Sequence, residues 1–133
     1  MVAVEKLNTL EPYGLAALRI MSGLLFVQGG TQKLFGFPPP LYDMPMDALM
    51  IVAGLLELIG GALITVGLLT RPAAFVLSGM MAVGYFMVHA PQDFFPANNM
   101  GTPAILFCFV FLYFVFSGPG AWSLDRSRAL PWR

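Results

Sequence analysis

The chain has 133 residues, of which 58% are hydrophobic and only 11% charged, with zero formal net charge. Soluble domains carry charge on about a quarter of their residues, so this composition excludes a water-soluble globule, and the missing basic excess excludes a nucleic-acid surface. The single Cys108 excludes an internal disulfide and a CxxC redox pair.

Four apolar blocks follow in chain order, at 13–30, 46–69, 73–89 and 103–117. A helix rises about 1.5 Å per residue and a bilayer core is about 30 Å thick, so a span takes roughly 17–25 residues. The first three blocks meet that length. The fourth is apolar from Ala104 to Ser117 and closes on Gly118-Pro119-Gly120, so it needs flanking residues or local thinning of the bilayer. The expected architecture is all-α: an integral membrane four-helix up-and-down bundle forming a single domain over 1–133.

The first block is preceded by Glu5, Lys6 and Glu11 rather than a basic stretch, and no small-residue cleavage site follows it, so it reads as a retained span and not a signal peptide. Along it, Arg19, Gly23, Phe26 and Gly30 form one stripe. In the second block Ala53, Glu57, Gly61 and Thr65 recur every fourth residue. Small residues let helix backbones approach in lipid, so both stripes should face other helices. An arginine at the membrane centre costs about 2.5–3.5 kcal/mol on insertion scales, so Arg19 needs an internal partner. Glu57 is the one carboxylate deep inside a block, Asp47 standing at the loop edge of its own, and the expectation is a buried Arg19–Glu57 ion pair, with Arg71 as a competitor nearer the surface. Such a pair either fixes register alone or makes Glu57 a proton acceptor on a cavity.

In the third block Ser78, Ala82, Tyr85 and His89 share a face. His89 ends the block and should meet Gln28, Gln32 and Lys33 from the end of the first. These residues, with Tyr85, are the expected outer polar pocket. There His89 either donates a proton to the carbonyl of a quinone or small substrate, or caps the last helix carbonyls. In the fourth block Cys108 reads as a small residue packed against lipid or a neighbouring helix.

Pro72 and Pro103 are expected at the first position of their helices, with Gly118 and Pro119 as a stop. Four spans would gather Lys6, Arg71, Arg126, Arg128 and Arg133 on one side, with Thr70-Arg71-Pro72 as the link there, and leave Lys33 on the other. Cytoplasmic segments carry the excess of Lys and Arg, which predicts cytoplasmic termini. Phe35, Phe37, Tyr42, Phe94 and Phe95 would form the outer aromatic belt, and Trp122 with Trp132 the inner one.

One histidine cannot ligate haem from both sides, one cysteine cannot hold an iron–sulfur cluster, and no residue set has metal-ligand spacing. A P-loop and a dinucleotide fingerprint are also missing. No tightly bound cofactor is expected, so any electron transfer would draw on a quinone or a partner protein.

The run Leu18-Arg19…Gly23…Phe26…Gln28…Gly30-Thr31-Gln32-Lys33-Leu34-Phe35-Gly36, then Gly54…Glu57…Gly60-Gly61…Gly67-Leu68…Thr70-Arg71-Pro72-Ala73-Ala74, resembles the DoxX family of small bacterial membrane proteins. The runs His89-Ala90-Pro91…Phe94-Phe95-Pro96…Asn99 and Gly118-Pro119-Gly120…Trp122-Ser123-Leu124-Asp125 extend the likeness over nearly the whole chain. The resemblance implies a multi-pass protein of the bacterial inner membrane, related to the DoxD subunit of a thiosulfate:quinone oxidoreductase, whose relatives join soluble or membrane oxidoreductases. The chain departs from the family pattern at Gly29, where a His is common, and at Thr102, where a Glu often stands. Three readings follow: a subunit of a quinone-linked oxidoreductase system, an enzyme passing electrons from a small sulfur compound to quinone, and a proton-linked small-solute transporter using Glu57. A purely structural role stays open beside them. The small-residue faces suit packing within one bundle or between copies, which leaves a homo-oligomer open.

Overall fold

The structure is a computed structural model and describes residues 1–128; Trp132 and Arg133, assigned above to the inner aromatic belt and the basic side, lie outside them. The elements are α1 (Val2–Phe35), α2 (Ala48–Val66), α3 (Thr70–Gly84) running on into a π-helical turn (Tyr85–His89), a short α4 (Pro96–Asn99), α5 (Thr102–Ser117) and a short α6 (Leu124–Ser127). Among the described residues there is no strand.

Helix ends differ from the sequence boundaries for local reasons. The polar residues before Tyr13 are solvated but helix-compatible, so α1 starts at Val2 instead of 13, and its 34 residues outrun the bilayer core at that end. At its other end Gly36 takes a left-handed conformation (φ 67°), and its N–H bonds the Gln32 carbonyl. The Asp47 carboxylate accepts the Met50 N–H at 2.8 Å and sets the start of α2. Left-handed Gly67 ends α2 at Val66, short of the expected Leu69. The link to α3 is therefore Gly67-Leu68-Leu69, and Thr70-Arg71-Pro72 belongs to the helix. Pro72 is its third residue rather than its first, still in the turn whose N–H groups lack intrahelical partners. Pro103 likewise falls second, after Thr102.

α1 and α2 pack antiparallel along their glycines. A Cβ on Gly61 would stand 2.7 Å from the Val27 nitrogen and 2.8 Å from the Gly23 carbonyl oxygen, and one on Gly30 would stand 2.8 Å from the Leu58 Cα. Ala53 falls just off this seam, and Gly54 sits there instead, against Leu34. α3 and α5 form the second close pair, where the Ser78 hydroxyl donates to the Cys108 carbonyl at 2.8 Å. The two pairs meet at Phe26, whose ring stands edge-on to Phe107 and Phe111 at centroid distances of 5.0 and 4.7 Å. Ile64, Ala74, Leu77 and Phe114 complete the core.

Much apolar surface faces outward, including Leu24, Ile59, Phe75, Phe86, Leu106, Phe109 and Phe116, the last 73% exposed. Soluble monomers do not leave such continuous patches uncovered. α1, α2 and the combined Thr70–His89 helix are long and apolar enough to cross a membrane, whereas α5 is apolar but only 16 residues long.

Candidate functional site: a cavity with a charged wall

Arg19 does not pair with Glu57, which corrects the expected buried ion pair. Its side chain is fully buried and donates to five backbone carbonyls: Pro119 at 2.7 Å, Ile64 at 2.8 Å, Thr65 at 2.7 Å, Ala121 at 3.0 Å and Trp122 at 2.9 Å. The reason is register. On antiparallel helices Arg19 lies opposite the end of α2, while Glu57 sits about two turns further along. The guanidinium, with five donors in a rigid fork, suits a cluster of carbonyls freed at a helix end and a tight turn.

The buried Asp125 carboxylate beside it accepts the Leu69 and Thr70 N–H groups at 2.8 and 2.9 Å, capping α3, while the Asp125 N–H donates to the Gly67 carbonyl at 2.9 Å. Arg19 and Asp125 thus bind the segment after α5 across the middle of α1, the end of α2 and the start of α3. Sequence reasoning missed Asp125; the one signal was an acid within the Trp122-Ser123-Leu124-Asp125 ending, and its nearness to Arg19 appears only in the fold. Arg71 donates to the Val115 and Phe116 carbonyls at the end of α5, so it does not compete for Glu57.

Glu57 instead pairs with Lys33, whose ammonium donates to Oε2 at 2.8 Å and to Oε1 at 3.0 Å. The carboxylate has room because α1 carries Gly29 opposite it: a Cβ there would stand 2.7 Å from Oε2. Gly29→Ala should therefore turn the carboxylate off Lys33 and lower stability by about 1–2 kcal/mol in thermal unfolding. In a Glu57→Ala background the same change should be neutral or slightly stabilising, because only the Gly-to-Ala helix preference remains.

The pair forms part of the wall of a cavity of about 710 Å³ between the α1–α2 and α3–α5 pairs. Asp47 and His89 also line it, and the remaining wall is apolar, with Phe26, Phe107 and four methionines, Met50, Met80, Met81 and Met87. The structure brings Lys33 and His89 to one cavity and adds Glu57, which the sequence had placed elsewhere. The other members of the expected outer pocket are not on its wall. Gln28 is exposed, the Gln32 amide donates to the Pro38 carbonyl at 3.3 Å, and Tyr85 stacks behind His89 at a centroid distance of 6.2 Å.

His89 is held by Asn99, a fully buried residue the sequence reading did not single out as functional. His89 Nδ1 lies 2.9 Å from the Asn99 carbonyl oxygen. A carbonyl can only accept, so Nδ1 carries the hydrogen and, in the neutral ring, Nε2 is an acceptor. The Asn99 side chain donates to the Tyr85 hydroxyl at 3.2 Å and the Asp93 carbonyl at 3.0 Å, and accepts the Gly101 N–H at 2.8 Å. The π-helical turn, closed by the Ala90 N–H on the Tyr85 carbonyl, sets both rings against that loop. His89 is therefore fixed by the loop and does not cap its own helix. Among the described residues no group of His, Cys, Asp and Glu could hold a metal ion.

The DoxX family profile matches residues 14–90. An uncharacterized protein of Haemophilus influenzae is 44% identical over 129 residues, covering 92% of this chain and 96% of that protein. The inner membrane protein YqjF of Escherichia coli is 30% identical over 130 residues, covering 95% and 100%. The uncharacterized membrane protein Rv3486 of Mycobacterium tuberculosis is 31% identical over 136 residues, covering 86% and 81%. No solved structure matches the chain. The matched segment holds Arg19, Lys33, Glu57 and His89, and with it the chain is a membrane protein of the DoxX family.

Proposed function

We propose that this protein crosses the bacterial inner membrane four times, with both termini in the cytoplasm, and serves as the quinone-meeting subunit of a membrane-associated oxidoreductase system of the thiosulfate-or-thiol-to-quinone type. The observation that carries this reading is the cavity between the helix pairs, apolar over most of its wall and charged at Lys33, Glu57 and Asp47. A lipid-soluble ring fits such walls, and the few polar groups can fix its orientation. The chain's own residues bind and orient; the electrons come from a partner oxidoreductase. The orientation rests on Lys6, Arg71, Arg126 and Arg128, all at the end that Arg19 closes, against Lys33 at the other. YqjF, an inner membrane protein by name, supports the location.

The test is extraction of the tagged protein from its native membrane in mild detergent, with mass spectrometry of everything that co-purifies. A stoichiometric oxidoreductase or bound quinone is expected, and a preparation with neither would overturn the subunit reading. The Lys33–Glu57 pair on the cavity wall favours a second reading, proton-linked transport of a small solute. On that reading Glu57→Gln abolishes solute-driven acidification in reconstituted vesicles. On the reading preferred here, wild-type and variant vesicles both show none.

A further inference from the structure

The polar groups on the cavity wall retain unequal hydrogen-bonding capacity. Two of the three Lys33 ammonium hydrogens are spent on Glu57, leaving one donor. Acceptors are more plentiful. His89 Nε2 is an acceptor, because the ring's hydrogen is committed to the Asn99 carbonyl, and it has no partner among the described residues. Asp47 uses one oxygen for Met50, and each Glu57 oxygen keeps lone pairs beyond those facing Lys33. The charges run the same way, with two carboxylates against one ammonium, which disfavours an anionic head such as a fatty acid. The Phe and Met wall is suited to a flat ring, because thioether sulfur and aromatic edges both pack favourably on aromatic groups.

We infer that the cavity recognises the hydroxyl of a lipid-soluble phenol or hydroquinone, with His89 Nε2 accepting that hydrogen, and so prefers the reduced, hydrogen-donating ring over a ring bearing only carbonyls. This rests on the reading of the cavity as a ligand site and adds which form of the ring it holds. His89 here is a specificity-determining residue, and its tautomer is fixed by the Asn99 carbonyl behind it.

The three main probes have no quinone–hydroquinone couple, so none of them interconverts between those forms during the measurement. Binding of 4-heptylphenol, 4-heptylanisole and heptylammonium is measured on the full chain in lipid nanodiscs, with protein-free nanodiscs subtracted to remove partitioning. The phenol is expected to bind at least tenfold more tightly than its methyl ether, which has the same ring and tail but no donor. In His89→Phe, once its folding is verified, that ratio should fall to near one; a ratio that survives would overturn the role of His89. Because the wild-type ratio needs no variant, a His89→Phe protein that does not fold still leaves the inference testable. Equal wild-type affinities would overturn the donor reading, and tighter binding of heptylammonium would overturn the phenolic class. A short-tailed benzoquinone that binds where the phenol does not would overturn this inference yet keep the cavity as a quinone site. If neither the benzoquinone nor any of the three amphiphiles binds, the cavity reading itself falls.

Discussion

Arg19→Ala is expected to cost more than any other single side-chain truncation in the protein, about 3–5 kcal/mol, with most of the variant aggregating on extraction. Five carbonyls from α2 and from the segment after Gly118 converge on this one guanidinium. Removing it strands them in a space that is completely buried. Hydrogen bonds to a charged group contribute about 1.5–3 kcal/mol each, but they are not additive, and water entering the gap would recover part of the loss. Arg19→Lys should remain about 2–3 kcal/mol below wild type, because an ammonium has three hydrogens for five acceptors and no planar fork. Thermal unfolding followed by size-exclusion chromatography in detergent checks both. An Arg19→Ala protein that melts with wild type would mean that the carbonyls are satisfied without it. The same assay separates the two charge networks. Losses from Arg19→Ala and Glu57→Gln should add to within about 0.5 kcal/mol, as for sites without shared partners, whereas Lys33→Met and Glu57→Gln should not.

Much of the framework was readable because lipid imposes strict rules on sequence. Long apolar blocks, prolines in first turns and the Gly118-Pro119 stop located the long helices; the errors at their ends came from polar residues that can be helical outside the bilayer, as in α1, and from the left-handed Gly67 that stops α2 within an apolar run. The pairing of charges was misread for a different reason: Arg19 and Glu57 were matched by sign and rarity, without a register. Yet a register was available. Gly23 and Gly30 on one helix and Gly54 and Gly61 on the next are each seven residues apart, and setting these two stripes antiparallel places Glu57 beside Gly29 and Lys33, and Arg19 beyond Thr65. Asn99 and Asp125 were hidden more deeply. Asp125 works through backbone groups of a distant helix end, and Asn99 through its own backbone carbonyl and the loop its side chain ties together, and side-chain periodicity carries no trace of such contacts. The His89 tautomer likewise depends on one carbonyl in a loop whose path only the folded chain defines.

That seam also makes the second large prediction. Gly61→Ala adds one methyl group, but its Cβ would meet the backbone of α1, at the Val27 nitrogen and the Gly23 carbonyl, and not the tip of a side chain that could swing away. At Gly23 an added Cβ would run into the Thr65 hydroxyl and backbone in the same manner. Two helices so close can relieve the overlap only by moving apart along much of their length, which loosens the Phe26 contact with α5 and shifts Lys33 relative to Glu57. Overpacking of this kind costs about 1–3 kcal/mol where side chains adjust, and the upper end is expected here because backbone must move. Gly79 supplies the internal control, since an added Cβ meets nothing within 4 Å. Gly79→Ala should be neutral or raise stability by up to about 1 kcal/mol through helix preference alone. If Gly61→Ala and Gly79→Ala melted together, the small residues would be lipid-facing conveniences and not the surface that sets the register of Glu57. A selective loss at Gly61, with weaker phenol binding in the fraction that remains folded, would tie the geometry of the cavity wall to a backbone contact one turn from Glu57.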